Sequence, residues 1–306
     1  MVMLQGYELL EDRSAPDGLF DVYQARAPDG ALVVLRRLRA RGVLVPLHEE
    51  LTLAQQLTHA SAAPILDLGR LGDSLYFTQP WFDGAPLRAL IDHRPWTVEE
   101  AAGVLLPVLG ALEDAHQYNL LHQEVAAENV FVSSQGVVLA DFGLAGVARL
   151  AGQPPRRACV SPEQAQGKQL TRRSDVFQAG LLLFELLTGR LPALGTVSEV
   201  AARIALGELD SPQDVGVTDP EVAALLGRAL AFEPGARFAS AGDFARALSA
   251  LAPEPVDVSV RLSKVLRAAP WPPPSRPELD PVPEVPPQEG TPTPRPGLLR
   301  RLFSRR

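Results

Sequence analysis

The stretch LLHQEVAAENVFV, residues 120–132, sets His122, Gln123, Glu124, Glu128 and Asn129 between two apolar runs. Polar groups that interrupt a buried run must find partners, so such a cluster marks a reactive loop or the frame of one. Upstream, Thr97 followed by Glu100 is a capping-box pattern that opens a long apolar helix reaching about Tyr118. Downstream, NVFV and GVVLA read as two short strands, and residues 141–163 read as irregular. Residues 174–189, SDVFQAGLLLFELLTG, are apolar almost all round, which predicts a buried helix ended by Gly189. Helices near 197–206, 219–231 and 240–251 complete a mostly helical part.

The N-terminal part has a different period. GLFDVYQARA alternates, APDG is a turn signal, and ALVVLRRL is a second β-rich run, so residues 7–38 predict a hairpin-built antiparallel sheet. Residues 46–58 carry a Pro start and helix-period apolar positions. PILDLGRLGDSLYFTQPWF then returns to two strands joined at Leu71, Gly72 and Asp73. The predicted architecture is α+β: a small antiparallel-sheet lobe with one helix over about residues 1–83, then a larger helical lobe over about 84–251.

Beyond Leu251 the composition shifts, with 14 of the 29 prolines in residues 253–296. Such a segment buries too little apolar surface to offset its ordering entropy, so 252–296 is expected to be a disordered, PPII-rich linker. The final stretch, GLLRRLFSRR (297–306), would gather Leu298, Leu299, Leu302 and Phe303 on one helical face with arginines around it. Membrane-surface or acidic-partner contact is the functional expectation for it. The net charge of -7 argues against nucleic-acid binding, which needs clustered positive charge. A single cysteine, Cys159, the absence of a signal-peptide pattern and the absence of a spanning apolar run lead to the expectation of a cytoplasmic protein, peripheral at the membrane if the tail docks. His48, His59, His93 and His116 lack zinc-like spacing and read as ordinary surface or core residues.

The order of short motifs carries more than any one of them. His122-Gln123-Glu124 is followed five residues later by Asn129, then by Asp141-Phe142-Gly143, Ser161-Pro162-Glu163, Asp175 in SDVFQAG and Arg237 in EPGARF. In this order and near this spacing the set resembles the protein kinase catalytic domain, most nearly that of bacterial Ser/Thr kinases, over about residues 7–251. VVLRR stands where the family has its V-A-I-K strand, and Glu50 stands at the glutamate of the helix that follows. The resemblance implies a bilobal kinase-like fold, ATP as ligand with Val22, Val34 and Phe82 around the nucleotide, and Asn129 and Asp141 as Mg²⁺ ligands.

Several matched positions carry altered chemistry. Ala15, Asp17 and Phe20 replace the three loop glycines that let backbone approach phosphates, leaving only Gly18 nearby. Arg36 replaces the strand lysine; it can pair with Glu50, but its planar fork substitutes poorly for a compact ammonium. Lysine occurs only at Lys168 and Lys264, so the first half offers no replacement. Val34 narrows the adenine pocket. Glu124 stands at the base aspartate, one methylene too long for a reaction governed by positioning. Gln123 removes an arginine that pairs with phosphorylated activation loops, and Ala126 removes a phosphate-neutralising lysine. No Ser, Thr or Tyr lies between Leu144 and Val160, and Arg156 stands near the expected substrate-orienting threonine. By contrast Glu163 with Arg237, Asp175, His122 and Phe142 match positions that hold the fold. The implied function is a pseudokinase that binds ATP weakly or not at all and serves signalling protein partners as a scaffold or allosteric module. The alternative is a divergent Ser/Thr kinase with Glu124 as base. Asn129 is the residue most expected to retain a ligand.

Overall fold

In the computed structural model the described residues are 2–16, 18–39, 41–91, 95–153 and 158–259. The calls on Asp17, His93 and Arg156, on most of the Pro-rich segment and on 297–306 lie outside the described residues. Four strands open the chain, β1 (Val2–Leu4), β2 (Tyr7–Asp12), β3 (Phe20–Arg26) and β4 (Leu32–Leu38). APDG does form the β3–β4 turn, with Gly30 at φ 90° and its N–H bonded to Ala27 O at 2.9 Å. Helix α1 (Leu44–Ala54) follows and buries Leu47, Leu51 and Ala54, the i, i+4, i+7 stripe that makes it amphipathic.

Strands β5 (Asp67–Leu71) and β6 (Ser74–Pro80) finish a six-stranded antiparallel sheet in the order β1-β2-β3-β4-β6-β5. The sheet curls on itself. Tyr7 of β2 and Tyr76 of β6 both donate to Asp67 Oδ2 on β5, at 2.9 and 3.0 Å, although β2 and β5 are far apart in strand order. Burial, then the Asp67 carboxylate, push the Tyr76 phenol up to about 12. Gly69 makes room for the clasp, since a Cβ there would lie 2.6 Å from the Tyr76 ring.

The second lobe begins with β7 (Gly84–Pro86) and α2 (Val98–Gln117). Thr97 and Glu100 form the capping box read from the sequence. Strand β8 (Val130–Ser133) pairs with β7 on one side and with β9 (Gly136–Leu139) on the other, forming a small three-stranded antiparallel sheet. Ala63 N–H bonds Leu139 O at 2.9 Å and Leu139 N–H bonds Ser61 O at 2.7 Å, so the segment between α1 and β5 is stitched to the strand leading into Asp141. The remaining helices are α3 (Leu144–Leu150), α4 (Pro162–Ala165), α5 (Arg172–Thr188), α6 (Val197–Leu206), α7 (Pro220–Ala229) and α8 (Ala241–Leu251). Helix α5 is buried from Ser174 to Leu186 and ends at left-handed Gly189, as its all-round apolar sequence predicts.

Two details depart from expectation. The stretch 141–163 is not wholly irregular: α3 forms there because Val147 is fully buried against the core, a tertiary contact invisible to local propensity. Packing also runs past Leu251. Val256 N–H bonds Glu99 O at 3.0 Å, Val258 is buried, and a Cβ on Gly103 would collide with Val256 O, so this glycine is what lets the chain cross α2.

Candidate functional site

The 120–132 loop is held from below by α5. The fully buried Asp175 accepts from His122 N–H at 2.9 Å and Gln123 N–H at 2.8 Å, and its Oδ2 lies 2.8 Å from His116 Nε2. Gln123 sits at φ 67°, a left-handed turn that the Asp175 bond helps to hold. Gln178, one turn along α5 and fully buried, accepts from Val125 N–H at 3.1 Å and directs Nε2 to Gln123 O, Cys159 O and Gln164 Oε1. Gln164 adds a second bond to Gln123 O at 2.7 Å. His116 and Gln178 were not among the sequence candidates. The available signal was a lone amide inside the apolar run of α5, which burial obliges to find partners.

His122 is fully buried and edge-on to Phe142 at 4.8 Å. Its Nδ1 accepts from Glu124 N–H at 3.2 Å and its Nε2 lies 2.8 Å from Ala140 O, a pattern only the Nε2–H tautomer satisfies. Burial pushes its pKa down, which keeps the ring neutral. Glu124 and Asn129 are brought together: Asn129 Nδ2 donates to Glu124 O at 2.8 Å and to Glu124 Oε2 at 3.3 Å. Ala126 is fully buried and packs with Cys159, Val160 and Phe177, so the position matching the phosphate-neutralising lysine faces core.

Asp141 takes a left-handed backbone at φ 69°, and Gly143, at φ 78°, caps α3. Arg36 Nη2 lies 2.8 Å from Asp141 Oδ1, while Nη1 of the same guanidinium donates to Gln79 Oε1 and Phe77 lies 5.7 Å beneath. The Arg36–Asp141 contact is Coulombic, for the buried Oδ1 accepts no aligned hydrogen bond. The pairing of Arg36 with Glu50 read from the sequence is therefore corrected. Strand register explains why: β4 and β6 set Arg36 opposite Phe77 with Gln79 two residues on, so the fork has a neutral acceptor beside it and Asp141 ahead. Glu50 lies instead against Gly143, where an added Cβ would stand 2.9 Å from its Cβ and 3.2 Å from its Oε2. It makes no ion pair among the described residues, and burial, then Glu49, push its carboxyl up.

Val22 pairs directly with Arg36, and Val34 lies two residues before it, so all three share one sheet face. Phe82 stacks on Phe131 at 5.4 Å, and its carbonyl accepts from Gly84 N–H at 3.0 Å. The loop between β2 and β3, which would cover a phosphate, is drawn onto its own sheet. Arg39 Nη1 donates to Ala15 O, Pro16 O and Gly18 O at 2.8, 2.9 and 3.2 Å, and its Nε to Asp21 Oδ1 at 2.5 Å. Gly18 N–H is bonded to Ala15 O, Val22 N–H to Ser14 Oγ and Ser14 N–H to Asp12 Oδ1. Pro16 has no N–H.

The architecture matches known proteins. The family model described as the protein kinase domain matches residues 21–244. The serine/threonine-protein kinase PknL of Mycobacterium tuberculosis is 34% identical over 212 residues, which cover 65% of this chain and 52% of that protein. Pkn1 of Myxococcus xanthus, also a serine/threonine-protein kinase, is 30% identical over 257 residues, 77% of this chain and 36% of that one. The chain thus spans about half or less of these relatives' lengths. The kinase domain of Mycobacterium tuberculosis PknI, solved as a point mutant, superposes with a TM-score of 0.66 at 25% identity, covering 82% of this chain and 97% of that one.

Proposed function

Because this chain belongs to the protein kinase family, whose members generally use ATP and Mg²⁺, we propose that it is a pseudokinase, a kinase-fold signalling module with weak or no ATP binding that acts on protein partners as a scaffold or allosteric element. One observation carries this reading. A loop that cradles phosphate must turn backbone N–H groups toward it; here the N–H groups of Ser14, Gly18 and Val22 are engaged within the lobe, and three carbonyls converge on Arg39. The lost glycines, the lengthened Glu124 and the buried Ala126 act in the same direction.

The family's metal positions do not fit a divalent ion as arranged. Asp141 faces a guanidinium, and Asn129 turns its amide nitrogen onto Glu124. A second reading, an active divergent Ser/Thr kinase, draws support from the loop frame, because Asp175 and His122 still hold the backbone around Glu124. Thermal-shift titration with ATP, with and without Mg²⁺, separates the two. The pseudokinase reading expects no shift, or a small one indifferent to Mg²⁺. A large Mg²⁺-dependent shift, lost in Asp141→Ala, would favour the active kinase.

A further inference from the structure

Arg36 is held on three sides: Nη1 by Gln79, Nη2 against Asp141 at 2.8 Å, and the guanidinium plane above Phe77. Gln79 is 3% exposed, so this anchor is part of the interior and not a surface contact. A guanidinium fixed at both ends of its fork cannot swing away as a lysine ammonium does on its flexible stem. Asp141 Oδ1, buried and without an aligned hydrogen bond, has its charge compensated by this cation alone among the described residues. The nearby carboxylates do not form a replacement ligand set. Glu50 is turned to Gly143, Glu124 is bonded by Asn129, and among the described residues no group of three or more His, Cys, Asp or Glu is arranged to hold a metal ion.

We infer that Arg36 is a resident counter-cation for Asp141, standing in for a divalent metal, so that the site excludes Mg²⁺ and any phosphate-bearing ligand it takes is held without metal. The inference rests on the pseudokinase reading and deepens it by fixing the ionic requirement of the site. A metal ion on Asp141 Oδ1 would sit within a few ångströms of a fixed positive charge in a partly buried place, where repulsion is poorly screened. The donors of Arg36 beyond the one it gives to Gln79 suit a phosphate oxygen.

The test is Mn²⁺ titration of the full chain followed by electron paramagnetic resonance, with and without ADP, alongside circular dichroism to verify folding. Wild type should leave the free Mn²⁺ signal as in buffer. With ADP present to supply the phosphate oxygens that the protein's own ligand set lacks, Arg36→Met should take up one Mn²⁺ per chain, and adding Asp141→Asn to that variant should abolish the uptake. Uptake by wild type, or no uptake by a folded Arg36→Met with ADP present, would overturn the inference. The two claims fail separately: Mn²⁺ uptake by a wild type that transfers no phosphate sinks only this one, and phosphotransfer sustained in EDTA sinks only the pseudokinase reading.

Discussion

At the scale of single residues, Arg237 shows most clearly how this fold satisfies a buried charge. Its five N–H donors reach Ala231 O, Arg173 O, Phe232 O and both oxygens of Glu163, and the guanidinium lies 4.7 Å over Phe177. Removing one partner strands the other charge, so Glu163→Ala should cost about 3–5 kcal/mol in chemical denaturation. Burial raises the Glu163 pKa, but hydrogen bonding and attraction from Arg237 outweigh it and the net shift is down. The Glu163 contribution is then full above the ordinary glutamate pKa and is lost as pH falls through the depressed native value. Glu50 has the opposite sign. With its carboxyl pushed up by burial, ionisation disfavours the native state, and stability falls as pH rises from the ordinary value through the raised one. Glu50→Gln should therefore be stabilising at neutral pH, by a margin that shrinks on acidification. Asp175 and the Glu163–Arg237 pair were legible in the sequence through their match to the kinase motif positions, and the structure brings each to its expected partner. The partner of Arg36 was not, because it depends on which β6 residue the register sets beside β4.

At the scale of elements, helix ends were the most readable feature. Thr97 with Glu100 and the Gly189 terminus are fixed by local backbone chemistry, so their sequence signatures suffice. Helix α3 was unreadable for the opposite reason: its seven residues are too few to hold a helix alone, and it depends on burial of Val147. It also lies close over the 120–132 loop, since a Cβ on Gly146 would stand 2.7 Å from Gln123 Nε2. Gly146→Leu should lift α3 off the loop and raise hydrogen exchange across residues 144–150 by about tenfold or more, leaving α5 protected. Gly103→Ala should act likewise on residues 253–259, because the new methyl meets the Val256 carbonyl; unchanged exchange there would contradict the described crossing of α2.

At the scale of the whole molecule, the sheet-rich lobe, the helical lobe and the kinase frame were evident from periodicity and motif order, and the comparisons agree with that frame. The curl of the sheet was not. It arises from Tyr7, Tyr76 and Asp67, whose meeting joins strands distant in sheet order, and the Arg39 clamp on the β2–β3 loop likewise joins groups more than twenty residues apart. Among the described residues no helix is long and apolar enough to cross a membrane. For the basic stretch 297–306 contact with a membrane surface or an acidic partner stays a proposal, the first checked by co-sedimentation of the chain with anionic vesicles against a chain ending at Gly297; equal binding by both would remove membrane docking from the account. A kinase frame in which the N–H groups of Ser14, Gly18 and Val22 and the Asp141 carboxylate are already engaged leads to one central claim, that the chain does not transfer phosphate. The direct measurement is incorporation of label from γ-labelled ATP with Mg²⁺ into the chain itself and into a generic Ser/Thr substrate. The account predicts incorporation no greater than that of the Asp141→Ala variant. Transfer above that level, dependent on Mg²⁺ and abolished by Asp141→Ala, would contradict it.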